Sequence, residues 1–247
     1  MNDFWDVDIV EEEKFISVPQ CTLSMNYQYK ELTHKTLHYA IVRFSQSDDW
    51  RSNQYGIDIA ELDEDSTDED FALWAYSRVF MFEGASGETL IQNHSIVQDH
   101  VNEFETKYGQ DAYFNLLFDA YQGKLPEIKF RAYAGIRSKL GANHKFMRIT
   151  INTIRHLMYG CKTQKAYNDS DVKNPYSNFQ IKYAIDRLSE RNLITTFTYK
   201  QRFSYYSTRL SIKELISEIA QLVAKKKRNK LNTNDLFNEE LAKALKV

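Results

Sequence analysis

Apolar residues recur at helical spacing through much of the chain. Leu32, Leu37, Ala40, Ile41 and Phe44 form one stripe, which predicts a helix over residues 30–45. Before it, residues 15–18 and 22–29 are β-prone and read as one or two strands. The stretch from Asp48 to Asp70 is polar and acidic and reads as a long loop. Ser66 and Glu69 at its end have the spacing of a capping box, so a helix is expected to start there and run through Phe71 to about Glu83. Gly84 to Gly87 would break it. Two further helices are expected at about 90–106 and 110–121, separated by Gly109.

The pattern restarts after Gly123-Lys124-Leu125-Pro126, where Pro126 suits the first turn of a helix. That helix, EIKFRAYAGIRSKL, stops at Gly141, a natural left-handed terminator. Phe146–Ile149 is a short β-like run. Thr150 then caps a helix, INTIRHLMY, that ends at Gly160, and residues 161–175 read as a polar loop. Ser177 and Gln180 make a second capping box, opening a helix up to Asn192 whose Ile181, Ala184, Ile185 and Leu188 fall on one side. Leu193–Tyr199 and Phe203–Leu210 are β-prone and are joined by Lys200-Gln201-Arg202 as a hairpin, with Thr196 and Thr198 alternating with Phe197 and Tyr199. A helix from Ser211 to about Lys227 carries Ile212, Leu215, Ile216, Ile219, Leu222 and Val223 on one face. A polar break and a short final helix, DLFNEELAKAL, follow as a plausible dimerisation arm. The fold class expected is mainly α with a small β-hairpin, organised as 1–123, 124–210 and 211–247.

Charge divides the chain at the same place. Residues 1–123 hold 7 Lys/Arg against 24 Asp/Glu, a net of −17, and residues 124–247 hold 25 against 10, a net of +15. The basic half points to a polyanion partner. The acidic half suits a basic protein partner, or a cover that lowers the DNA affinity of the basic half until displaced.

From Pro126 to Leu210 the expected order is helix, short strand, helix, helix, strand, basic turn, strand. This order, with the stretch FRAYAGIRSKLGANHKFMRITINTIRHLMYG, resembles the winged-helix proteins that act as prokaryotic transcription regulators or as plasmid and phage replication initiators. The resemblance covers about a third of the chain. It implies a C-terminal winged helix-turn-helix behind the acidic helical N-terminal domain, duplex DNA as partner, and dimerisation on paired half-sites. It departs from that pattern in the length of the loop from Cys161 to Pro175.

On the helix after Ser177 the polar side holds Phe179, Gln180, Lys182, Tyr183, Asp186 and Arg187. Gln pairs with adenine, and Arg or Lys with guanine, so Asn178, Gln180, Lys182, Tyr183 and Arg187 are the expected base readers. The expected phosphate contacts are Lys139, Lys145, Arg148, Lys200, Arg202 and Arg209.

Other chemistries find little footing. Hydrophobic residues make up 43% and charged residues 27%, as in a globular protein. Cys21 and Cys161 form neither a disulfide framework nor a zinc motif. The acidic start is unlike a signal peptide, and no stretch approaches 18 apolar residues, so the expected setting is the cytoplasm. His34 and His38 stand four apart on a helix without a third ligand, and the acidic run Asp58–Asp70 lacks the mid-loop Gly and final Glu of a calcium loop. Glu127-x-Lys129 with Asp111 or Asp119 carries the residue types of a metal-dependent nuclease, but on helical segments. No cofactor, metal or catalytic constellation is expected. The alternatives to a DNA-binding regulator are an adaptor subunit of a defence or mobile-element complex and, less strongly, that nuclease.

Overall fold

The fold, a computed structural model, describes residues 17–46, 62, 65–115, 124–141, 143–170, 174–200 and 202–228. It is mainly helical with two small antiparallel sheets. The chain divides into two compact units, 1–127 and 128–247.

In the N-terminal unit, β1 (Ser17–Pro19) pairs antiparallel with β2 (Tyr113–Asn115), with Val18 opposite Phe114. A 3-10 turn (Gln20–Ser24) leads to α1 (Tyr29–Ser45). Then come α2 (Asp68–Trp74), continued by a π-helical turn over Ala75–Val79, and α3 (Gly87–Tyr108). Helix α1 packs on α3 and α2, and Leu32, Leu37, Ile41, Leu90, Val97 and Phe114 are fully buried between these elements.

Three expectations for this unit need correction. The second β-prone stretch, 22–29, holds the 3-10 turn and the start of α1 instead of a strand. The capping box is Thr67 with Asp70, one residue later than Ser66 with Glu69. Thr67 Oγ1 accepts from Asp70 N at 3.3 Å, and Asp70 Oδ2 accepts from Thr67 N at 2.9 Å. The sequence contains both pairs, but Thr67 is the last extended residue before the helix, so its hydroxyl is the one aimed at the free amides.

The third correction concerns residues 110–121, expected as a helix. Within them 113–115 form β2, and 116–123 lie outside the described residues. Gln20 N donates to Ala112 O at 2.7 Å and Cys21 N to the Asp111 carboxylate, so partners far away in sequence satisfy this segment. The break expected at Gly84–Gly87 begins earlier, since the helix expected to reach about Glu83 ends at Val79 and residues 80–86 are non-helical. Ser86 caps α3, its hydroxyl accepting from Thr89 N at 3.2 Å, and Gly87 is the first helical residue. A Cβ on Gly87 would stand 2.9 Å from the Glu69 carbonyl oxygen, so the glycine permits a close approach between α3 and α2.

In the C-terminal unit the order is α4 (Glu127–Leu140, starting at the unit boundary), β3 (Met147–Arg148), α5 (Ile151–Leu157), α6 (Gln164–Asp169), α7 (Asn178–Glu190), β4 (Thr195–Tyr199), β5 (Phe203–Ser207) and α8 (Ile212–Arg228). The sheet is antiparallel in the order β3-β5-β4. Gly141, at φ 58, ends α4 by donating its N–H to Arg137 O at 3.0 Å. Thr150 caps α5 through Thr153 N at 3.1 Å.

The polar stretch 161–175 is more ordered than a loop. Thr163 caps α6 through Ala166 N at 3.1 Å, and Tyr167 is buried, its hydroxyl accepting from Asn174 N at 2.6 Å. Asn174 Nδ2 in turn donates to Arg155 O at 3.1 Å. These bonds tie the connection back onto α5, and α5 packs directly on α7 despite its length. The final expected helix, 235–245, lies outside the described residues.

Candidate nucleic-acid interface

Helix α7 buries Ile181, Ala184, Ile185 and Leu188 and turns Phe179, Lys182, Tyr183, Asp186 and Arg187 to solvent. The capping box is the one read from sequence, and it changes what Gln180 can do. Gln180 Oε1 accepts from Ser177 N at 2.9 Å and from Ser177 Oγ at 3.0 Å. Bidentate pairing with adenine needs that oxygen and the amide nitrogen together, so Gln180 acts first as a helix cap. Asn178 is also engaged, its Oδ1 accepting from Arg155 Nη2 at 2.8 Å. Arg187 is drawn to Glu190 at 2.6 Å and lies 4.9 Å from the centre of the Tyr183 ring. Of the five expected base readers, Lys182 is exposed without such a commitment, and Tyr183, also exposed, shares a hydrogen bond with Arg187.

The strand register sorts the expected phosphate contacts. Cross-strand partners share a face. Tyr199, Phe203, Tyr205 and Phe197 pack with Leu215 and Ile219 under α8, and Arg148 is paired with Tyr205. Arg148 therefore lies on the α8 face, with its guanidinium 4.0 Å from the centre of the Phe203 ring. The opposite face carries Met147, Thr196, Thr198, Ser204 and Tyr206. Burial pushes the Tyr206 hydroxyl pKa up, a hydrogen bond with Ser204 opposes this, and Asp186 of α7 raises it again, while α7 also contacts β4.

Lys200 and Arg202 are exposed in the turn between β4 and β5, where Arg202 N donates to Tyr199 O at 3.2 Å and Lys200 takes a left-handed φ of 51. Lys145 and Arg209 lie at the other end of β5. Ser207 Oγ donates to Lys145 O at 2.6 Å and accepts from Arg209 N at 3.1 Å, and Lys145 faces Glu218 at 3.6 Å. The length of β5, roughly 15 Å at the usual strand rise, separates the two groups. Lys139 is exposed near the end of α4.

Sequence reasoning left four residues out of the expected contacts that the geometry singles out. Phe179 is 78% exposed, one helical turn before Tyr183 at 51%, so two rings project together from α7. Thr198 and Ser204 meet across the hairpin at 3.1 Å between hydroxyls, on the face of the sheet opposite α8. Arg155 reaches both Asn178 and the Tyr176 carbonyl oxygen (3.4 Å), and so positions the start of α7 from α5. Strand parity could have found the hydroxyl pair from sequence. The Arg155 contact depends on the tertiary packing of two helices.

Among the described residues no cluster of three His, Cys, Asp or Glu side chains could hold a metal, and no helix is long and apolar enough to cross a membrane. Asp111 is buried and serves Cys21, and Asp119 lies outside the described residues. His34 and His38 are stacked with their ring centres 6.4 Å apart. Burial lowers the His38 pKa to about 4, helped by the nearby His34 and Lys35.

A pH dependence of stability follows. The unfolded histidine takes up its proton near pH 6.5, whereas the folded ring stays neutral down to about 4. Stability is thus lost as pH falls through that window, on the order of 2 kcal/mol by pH 5. Lowered pKa values at His34 and His94, again from burial first, add in the same direction. Thermal unfolding from pH 7 to 5 should show the loss, and His38→Gln should flatten it. An unchanged slope in that variant would remove His38 as the cause.

No protein-family model, curated protein or solved structure matches the chain.

Proposed function

We propose that the C-terminal unit is a winged-helix module that binds duplex DNA, and that the protein acts as a transcription regulator or replication initiator. One observation carries the reading: the order α4-β3-α5-α7-β4-β5 closes into a sheet ordered β3-β5-β4, with a polar helix face beside a hairpin that carries basic residues at its tip. In such modules the helix before the hairpin enters the major groove and the hairpin lies along the backbone. Here α7 would present Phe179, Lys182 and Tyr183 to base edges, Phe179 suiting a thymine methyl and Lys182 a guanine. Lys200 and Arg202 would contact phosphates, with Thr198 and Ser204 beside them.

Selection of bound sequences from random duplex DNA tests the proposal and reads half-site symmetry at the same time. Recovery of a motif supports it, and a two-fold motif adds a dimer. Binding that stays at the background of a non-specific basic protein argues against it. Lys182→Ala should lower affinity several-fold more for the selected sequence than for random duplex. Gln180→Ala should instead cost about 1 kcal/mol of stability through the lost cap and weaken binding to all sequences alike. A loss of preference confined to one base position would return Gln180 to the base readers.

A second reading is favoured by the exposed Phe179–Tyr183 pair, because large exposed rings also serve as protein anchors. In it the chain is an adaptor subunit and α7 docks a protein. Absence of duplex binding at low salt, together with stoichiometric co-purification of a partner lost in Phe179→Ala, would select it.

A further inference from the structure

The N-terminal unit holds an open cleft of about 580 Å³ formed by α1, the segment 76–85 and the start of α3. That size is ordinary for a small-molecule site. One wall is polar: Lys30, His34, Lys35 and His38 from α1, with Asn93 from α3. Next to it stand Tyr76, edge-on to the His38 ring at 5.5 Å, and Phe82, whose ring centre lies 5.5 Å from that of Tyr76.

The polar wall has a fixed direction of hydrogen bonding. Lys35 Nζ donates to Asn93 Oδ1 at 2.9 Å. An ammonium can only donate, so the Asn93 oxygen must face it and the Asn93 Nδ2 must face His38 Nδ1, 2.8 Å away. His38 Nδ1 is then an acceptor, and the neutral ring carries its proton on Nε2. His38 is only 6% exposed, and among the described residues nothing accepts from that Nε2–H. That nitrogen is not among the fully buried polar atoms left without a partner, so the donor keeps its contact with the cleft that His38 lines.

The geometry points to a binding site for a small molecule that joins an anionic oxygen group to a flat ring. The oxygen accepts from His38 Nε2–H near Lys35, with Lys30 lining the same wall about two helical turns earlier, and the ring lies against Tyr76 and Phe82. Glu31 is engaged by Lys35 at 3.7 Å, while Glu83 keeps the opposite rim negative and so turns the anion towards α1. The low pKa of His38, set first by burial, keeps the ring a neutral donor through the physiological range.

The test uses the full chain labelled with ¹⁵N-histidine and long-range ¹H–¹⁵N spectra. Without ligand, His38 should show the Nε2–H tautomer. Millimolar benzoate or adenosine monophosphate should shift its Nε2 resonance, and the two probes separate a carboxylate from a phosphate ligand. Benzyl alcohol (a ring without the anion) and inorganic phosphate (the anion without a ring) should bind at least tenfold more weakly. Lys30→Ala, at an exposed position, should weaken the better probe about fivefold or more with the rest of the spectrum unchanged. The proposal fails if neither ring-bearing anion shifts His38, if benzyl alcohol matches benzoate, or if Lys30→Ala has no effect.

Discussion

The affinity of the full chain for duplex DNA is expected to fall by roughly 10²–10³ between about 50 and 200 mM salt. That is the change for about four to six neutralised phosphates. The exposed cations placed to make such contacts are Lys200 and Arg202 at the hairpin tip and Lys139 on α4, three per chain and six in the proposed dimer on paired half-sites. Each phosphate contact removed should lower the slope of log affinity against log salt by about one. Lys200→Ala with Arg202→Ala should therefore flatten the slope by about two while lowering affinity for every sequence. Arg148→Ala should change it less, because strand pairing puts Arg148 on the α8 face against Phe203. Lys145→Ala should change it least, because its ammonium already faces Glu218. Fluorescence anisotropy over a salt series reads all of these. A slope near zero, or equal effects at Lys145 and at Lys200, would remove the hairpin tip from the interface.

How much of this was legible in the sequence depends on the range over which each feature is determined. Caps and terminators act within one turn. Ser177 with Gln180, Thr150, and the left-handed Gly141 and Gly160 accordingly stand where spacing put them. The hairpin was legible for the same reason, since alternation and a three-residue turn are local. The β1–β2 pair was not, because Ser17 and Asn115 meet across most of the N-terminal unit while Tyr113–Asn115 sits in a locally helical context. Chemistry on the interface was legible by residue type and not by commitment. Sequence shows that Gln180 and Arg187 can read bases; only coordinates show that a cap and Glu190 occupy them first. The side of the sheet that Arg148 takes is a matter of register, and a shift of one residue would reverse it.

Gly135→Val is expected to unfold the C-terminal unit roughly 10 °C below the parent, a loss of about 3 kcal/mol. In sequence Gly135 is an unexplained glycine inside a helix, where it costs about 1 kcal/mol relative to alanine. Packing supplies the reason. A Cβ at 135 would meet Leu157 C, Leu157 Cβ and Met158 N, each at 3.1 Å, so α4 presses its backbone against the end of α5. Arg131 strengthens this contact from the same helix, donating to Met158 O at 3.3 Å and lying over the Tyr159 ring at 4.5 Å. Alanine at 135 forces a few tenths of an ångström on that contact and recovers most of the cost through helix propensity, so Gly135→Ala should be close to neutral. Valine adds two methyl groups where backbone already stands and recovers nothing comparable. Helix α5 also carries Arg155, which positions the start of α7 through Asn178. A shift of α5 should therefore disturb the exposed face of α7, the proposed DNA-reading face, before the unit melts. Circular dichroism melts of the three chains, with DNA affinity measured well below the transition, separate the two effects. A Gly135→Val chain that melts with the parent would mean that α4 and α5 do not approach as closely as the 3.1 Å contacts require.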